Sequence, residues 1–188
     1  MPRPNVSKPL IDAAALALFA EKGVAAATTR EIAQRAGVSE GALYRHYPSK
    51  EELARVLFCE HYDALGRRLA ELAQARRGFH ARLAVMVGEV CRLFDDNRPL
   101  FAFLLLTQHD GLTGGLPAGA ANPVEVVRAA VVQAMDAGEI PARDPDLATA
   151  LILGAVIQPA TFAVYGRLTG RLSDRAEALT AAAWRAVS

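Results

Sequence analysis

Tyr44, Arg45, His46 and Tyr47 form an unbroken run, and Lys50 follows three residues later. Phenols, a guanidinium, an imidazole and an ammonium all donate hydrogen bonds, and phosphate oxygens accept them. Just before the run stand Gly41 and Ala42. Small side chains there permit close approach of another surface, and an alanine methyl can meet a thymine methyl. The chemistry on offer is contact with a nucleic acid, not bond breaking.

Catalytic and metal-binding patterns are missing by comparison. Asp95-Asp96 is the only adjacent acidic pair in the C-terminal part, and it sits beside Asn97-Arg98-Pro99 at a helix end, where capping or solvation accounts for it. Cys59 and His61 are two residues apart, about 200° apart around a helix, so they cannot share an ion. Neither Cys59 nor Cys91 has metal-ligand spacing around it, and two cysteines make no disulfide framework. No metal site, no cofactor and no enzymatic activity are expected.

The elements that must hold the donor run in place are helices. Thr28 and Glu31 form a T-x-x-E capping box that opens a helix ending before Gly37. Ser39 caps a short second segment that reaches Tyr47 and halts at Pro48. Together these make a helix, a tight turn and a second helix, with Ile32, Ala33, Ala36, Val38 and Leu43 supplying the small apolar contacts between them. Ser7 can cap an earlier helix stopped at Gly23, and Ser49 with Glu52 forms a second capping box for a long helix towards Arg76-Arg77-Gly78. In a helix-turn-helix the second helix enters the major groove.

Charge supports this placement. Residues 1–50 hold seven basic and four acidic side chains, whereas the remainder holds 14 and 16. A chain with a net charge of +1 thus presents one positive end. With 52% hydrophobic and 22% charged residues, disorder as the main state is excluded, and 188 residues suffice for a sizeable core. No apolar signal core follows Met1-Pro2-Arg3-Pro4-Asn5, so a cytoplasmic address is expected.

Residues 28–53 read T-T-x-x-I-A-x-x-A-G-V-S-x-G-x-L-Y-x-H-Y-x-x-K-E-x-L. This pattern resembles the DNA-binding segment of the TetR family of bacterial transcriptional regulators, whose length and helix number the chain also shares. The resemblance implies an all-α fold of about nine helices. Residues 1–52 would form a three-helix helix-turn-helix DNA-binding domain, and residues 53–188 a helical ligand-sensing and dimerisation domain. It further implies a homodimer on a palindromic double-stranded operator. By motif position Thr28, Thr29, Tyr44, His46, Tyr47 and Lys50 would contact phosphates, and Arg30, Glu40, Gly41, Ala42 and Arg45 would lie nearest base edges, behind the Ser39 cap. The expected function is a repressor released by a small, mostly apolar ligand. An activator, a ligand-independent regulator and a helical-bundle enzyme are the alternatives.

The rest of the chain repeats helical spacing: Phe58, Tyr62, Leu65, Leu69 and Leu72, then Phe79, Leu83, Met86, Val90 and Leu93. Pro99 opens an apolar helix, Gly111 to Ala121 is a loop, and Asn122-Pro123 begins a helix ending at Gly138. Asp144-Pro145-Asp146 starts a long one in which Pro159 should kink the axis or remove a hydrogen bond, and Ser173 caps the last. Leu147 to Gly166 carries no charge over about 20 residues, enough to span a bilayer by length. Its alanines, Thr149, Gln158 and Thr161 favour a buried helix or a dimer seam instead, so no membrane partner is expected, and dimerisation is assigned to the last two helices. Candidate effector contacts are His61, Gln108, Gln133, Gln158 and Tyr165 as polar groups, with Met86, Phe94, Phe101, Phe103 and Phe162 as walls.

Overall fold

The computed structural model describes residues 7–107 and 116–188, and among them finds nine α-helices, one 3-10 turn and no strand. The all-α reading stands. The helices are α1 (Ser7–Ala26), α2 (Thr29–Ala36), α3 (Glu40–His46), α4 (Lys50–Gln74), α5 (Phe79–Asp96), α6 (Arg98–Thr107), α7 (Pro123–Asp136), α8 (Pro145–Val164) and α9 (Ala176–Arg185). Gln108 and residues 111–115 of the glycine-rich run lie outside the described residues.

Two compact units emerge from the packing. One comprises the residues up to His61 with Pro99–Ala118, the other Tyr62–Arg98 with Gly119–Ser188. The division falls inside α4 at His61, not at residue 52, because the start of α4 and most of α6 complete the core of the first unit. Phe19 of α1 stacks on Phe103 of α6 at 5.6 Å between ring centroids, and Phe58 of α4 meets the same ring edge-on at 6.4 Å. Ile11, Ile32, Leu43, Leu53 and Leu57 are fully buried around them. Truncating a buried phenylalanine in such a cluster costs about 3–5 kcal/mol.

In the second unit α5 packs on α9 and α7, and α8 packs on α9 and α7. Phe79, Leu83, Met86, Val87, Cys91 and Phe94 form the buried stripe of α5. This stripe drifts one position from the expected one, so Val90 and Leu93 are only half-buried. The α8 helix continues through Pro159 and buries Ala148, Ile152, Val156, Ala160 and Ala163 on one side. By length and composition it could cross a membrane, with about a third of it buried.

Two expected caps differ. Glu52 N donates to Ser49 Oγ at 3.0 Å, but the Glu52 carboxylate turns to Arg55 at 2.8 Å, so that box is half made. Ser173 does not cap α9. It begins the 3-10 turn Ser173–Arg175, and α9 starts at Ala176 without a side-chain cap. Asp95 takes over that end: its two oxygens accept from Leu172 N at 2.8 Å and Ser173 N at 3.0 Å. Burial pushes its carboxyl upward, but the Ser173 and Leu172 bonds and Arg171 outweigh burial and hold it below the usual range.

Candidate nucleic-acid interface

The turn between α2 and α3 explains how two short helices hold a fixed angle. Thr28 Oγ1 accepts from Glu31 N at 3.3 Å, and Glu31 accepts from Thr28 N at 3.0 Å, completing the capping box. The Lys22 ammonium, 2.6 Å from Glu31, does most to hold that carboxyl down at about 2, and Thr28 adds to it. Gly37 sits at φ +68°, the left-handed region that a Cβ disfavours. Its N–H and that of Val38 close the end of α2 onto Gln34 O and Ala33 O. Ser39 Oγ then accepts from Ala42 N at 3.2 Å to start α3.

On the outer side of this unit a set of polar groups converges. Thr29 Oγ1 lies 3.2 Å from Tyr44 Oη and 3.5 Å from Glu40 Oε2, bridging the start of α2 to the outer face of α3. Tyr44 is half exposed. Thr28, Arg30, Ser39, Glu40, Gly41 and Arg45 are exposed beside it. Among the described residues Arg30 and Arg45 enter no ion pair, whereas Lys22 and Arg35 are spent on Glu31 and Glu21. A Cβ added at Gly41 would meet nothing nearer than Ser39 Oγ at 3.9 Å, so packing within the chain does not require a glycine there.

Five expected contacts are placed differently. The Thr28 hydroxyl donates to Glu31 Oε2 at 2.7 Å, inside its own capping box. Tyr47 is buried at 3% exposure, and its hydroxyl donates to Asp12 Oδ1 at 2.6 Å. Burial, then that hydrogen bond, push its phenol up to about 12. As the residue ending α3 it has extended backbone (φ −137°, ψ 119°), which swings the side chain off the helix and into the core. Ala42 is also buried and lies on the inner face of α3. His46 Nε2 is engaged with Ser7 Oγ at 2.8 Å. Lys50 donates to Ala25 O at 3.0 Å and Ala27 O at 2.9 Å, holding the end of α1, and its ammonium also stands 3.8 Å from Glu51 Oε1.

The described residues expected around an effector differ in burial and in the unit to which they belong. Gln158, Phe162 and Tyr165 are exposed on the outer side of α8. The reason is their phase: they lie opposite Ile152, Val156 and Ala160, which bury. Met86 and Phe94 are core residues of α5, Phe101 and Phe103 core residues of the other unit, and His61 is half-buried, its imidazole pushed down chiefly by burial. Gln133 is exposed and accepts from Arg82 at 2.8 Å. The two border a shallow groove of about 180 Å³ floored by Ala70, Ala73, Val126 and Ala130. That is below the roughly 300 Å³ at which small-molecule pockets begin. Among the described residues no three His, Cys, Asp or Glu side chains gather as metal ligands.

Residues 11–57 match the family model described as bacterial regulatory proteins, tetR family. An uncharacterized HTH-type transcriptional regulator, YerO of Bacillus subtilis (strain 168), is 34% identical over 107 residues, 56% of this chain and 37% of that protein. The HTH-type transcriptional repressor KstR2 of Mycobacterium tuberculosis (strain ATCC 25618 / H37Rv) is 41% identical over 61 residues, 32% of this chain and 30% of that one. The chain therefore spans about a third of the length of these relatives, both transcriptional regulators. The fold extends further: the transcriptional regulator FadR from Bacillus subtilis, solved in complex with stearoyl-CoA, superposes with a TM-score of 0.79 at 20% identity, covering 93% of this chain and 96% of that one.

Proposed function

We propose that this chain is a member of the TetR family of bacterial regulatory proteins, whose model it matches over residues 11–57, and that it is a sequence-specific transcriptional regulator, a homodimeric repressor released from its operator by a small apolar effector. The observation that carries the reading is the outer face of α2 and α3. There Thr29, Arg30, Tyr44 and Arg45 offer donors outward while the acidic neighbours Glu21 and Glu31 are held by Arg35 and Lys22. Thr29, Tyr44 and the Lys50 ammonium suit phosphates. Arg30 and Arg45 suit base edges, with Gly41 leaving room for the groove wall and Glu40 able to accept from a cytosine amino group. Tyr47, Ala42 and His46 support the helix from inside.

In this mechanism two copies place their α3 helices in successive major grooves, half-sites about 34 Å apart. The copies meet through α8 and α9, where Leu147, Leu151, Phe162 and Tyr165 leave an apolar surface in need of cover. An effector that binds better to a dimer with the wrong spacing shifts the population away from DNA. The fold neighbour captured with stearoyl-CoA suggests acyl compounds as the first effectors to try. Work on chromosomal DNA puts the protein in the cytoplasm. The enzyme alternative loses its one acidic pair, since Asp95 is occupied as a cap.

The test is a titration against the DNA upstream of the protein's own coding region at two salt concentrations, followed by selection from random duplexes. Saturable binding to a short palindrome, weakened by salt and lost in Tyr44→Ala, is expected. Failure to select any duplex sinks the reading.

A further inference from the structure

We propose that Tyr47 is a positioning residue for DNA recognition, its hydroxyl clamped by Asp12 so that the C-terminal end of α3 is anchored to the first turns of α1. The inference rests on the regulator reading above. Its structural half can be tested without DNA.

An isolated seven-residue helix does not hold its own conformation in water, so α3 depends on what fixes its two ends. Ser39 caps the first end. At the other end two successive residues reach back to α1. His46 Nε2 lies 2.8 Å from Ser7 Oγ, and Tyr47 Oη donates to Asp12 Oδ1 at 2.6 Å. The second Asp12 oxygen accepts from Lys8 Nζ at 3.0 Å, and that ammonium stands 5.6 Å from the centre of the Tyr47 ring. One carboxylate thus takes both a phenol and an ammonium, and the ammonium also leans on the phenol ring.

Packing alone would be served by phenylalanine. A buried hydroxyl costs free energy unless it is bonded, and a bonded one admits a single direction. That direction is what a recognition helix needs, because base contacts demand placement within about 0.5 Å. Lys8 also approaches Glu60 of α4 at 3.8 Å, but an exposed pair at that distance carries little, so the phenol–carboxylate bond is the main tie. At 3% exposure Tyr47 has no surface to give to a phosphate.

The experiment compares the full-length protein with Tyr47→Phe, Asp12→Asn and the double variant. Each is titrated with the selected operator and with a scrambled duplex of equal length, and α3 amide exchange and thermal midpoint are followed. The expected result is a loss of about tenfold on the operator in either single variant, a smaller loss on the scrambled duplex, and a double variant no worse than the singles. Amides of Leu43 to His46 should exchange faster while those of Leu57 to His61 keep their protection. A lowered midpoint with wild-type operator affinity would reduce Tyr47 to a packing residue and overturn the proposal. Equal losses on both duplexes with Asp12→Asn silent would make it a backbone contact instead, again overturning it. If wild-type protein binds no duplex at all, the regulator reading has failed and amide exchange decides alone: unchanged α3 protection in Tyr47→Phe sinks the anchor.

Discussion

The outer face of α2 and α3 and the outer face of α8 are both exposed in the single chain, and they ask for opposite partners. The first carries hydroxyls and the cations Arg30 and Arg45, groups that water solvates well and that a polyanion can hold by displacing counterions. The second repeats Leu147, Leu151, Phe162 and Tyr165 around Gly154 and Gln158, at spacings of three and four. Exposed polar donors are stable alone and become a site only when a ligand of matching charge arrives. An exposed apolar stripe is unfavourable alone and is stabilised by being covered. The difference teaches that one surface can stay open until DNA comes, while the other should be closed in the working molecule.

The largest expected effect tests that contrast directly. Leu151→Glu puts a charge in the middle of the apolar stripe without touching the core, since Leu151 is 41% exposed. Sedimentation equilibrium should show monomers. Operator affinity should drop by about a hundredfold or more, because the second half-site no longer binds intramolecularly. A variant that remains a dimer would remove α8 from the seam. Next in size is Arg45→Ala, for which about a tenfold or greater loss on the operator is expected. If the log–log salt slope also falls by about one, Arg45 holds a phosphate; an unchanged slope with relaxed sequence preference makes it a base contact. No change in either measurement would break the polar half of the comparison.

The smallest effect concerns the capping box. The folded Glu31 carboxyl is held down at about 2, chiefly by Lys22, against an ordinary 4.5. A depressed folded value contributes stability above the unfolded value and loses it as pH falls through the folded one. The stability gap between the wild type and Glu31→Gln should therefore be present at neutral pH and close between about pH 4.5 and 2. A gap that persists at pH 2 would mean that glutamine fails as a cap for a reason other than charge.

Most of the first unit could be read in advance because its signals are local. A threonine three residues before a glutamate caps a helix wherever it occurs, and a glycine after Ala36 permits the left-handed turn with no help from distant residues. Tyr47 was different. It lies three residues from Tyr44, so helical spacing alone puts the two on neighbouring sides of α3 and assigns both to the same surface. The extended backbone at Tyr47 and the waiting Asp12 carboxylate separate them, and Asp12 lies 35 residues away. Ser173 shows the same limit: its expected cap is supplanted by Asp95, 78 residues earlier.

The effector residues were the hardest to read, for a related reason. Leu147 to Gly166 is apolar on every side, so no periodicity marks an inner face, and Gln158, Phe162 and Tyr165 were free to be assigned inward. Only the packing of α8 against α7 and α9 turned Ile152, Val156 and Ala160 to the core and those three outward. What the sequence by itself determined is the set of helices, the Thr28 and Ser39 caps and the polar outer face of α2 and α3, since each depends on neighbours within about four positions. What only the tertiary structure decided is which side of an equivocal helix meets the core and which distant carboxylate captures a free donor. Those outcomes depend on burial and hydrogen bonding between residues brought together only when the chain closes on itself.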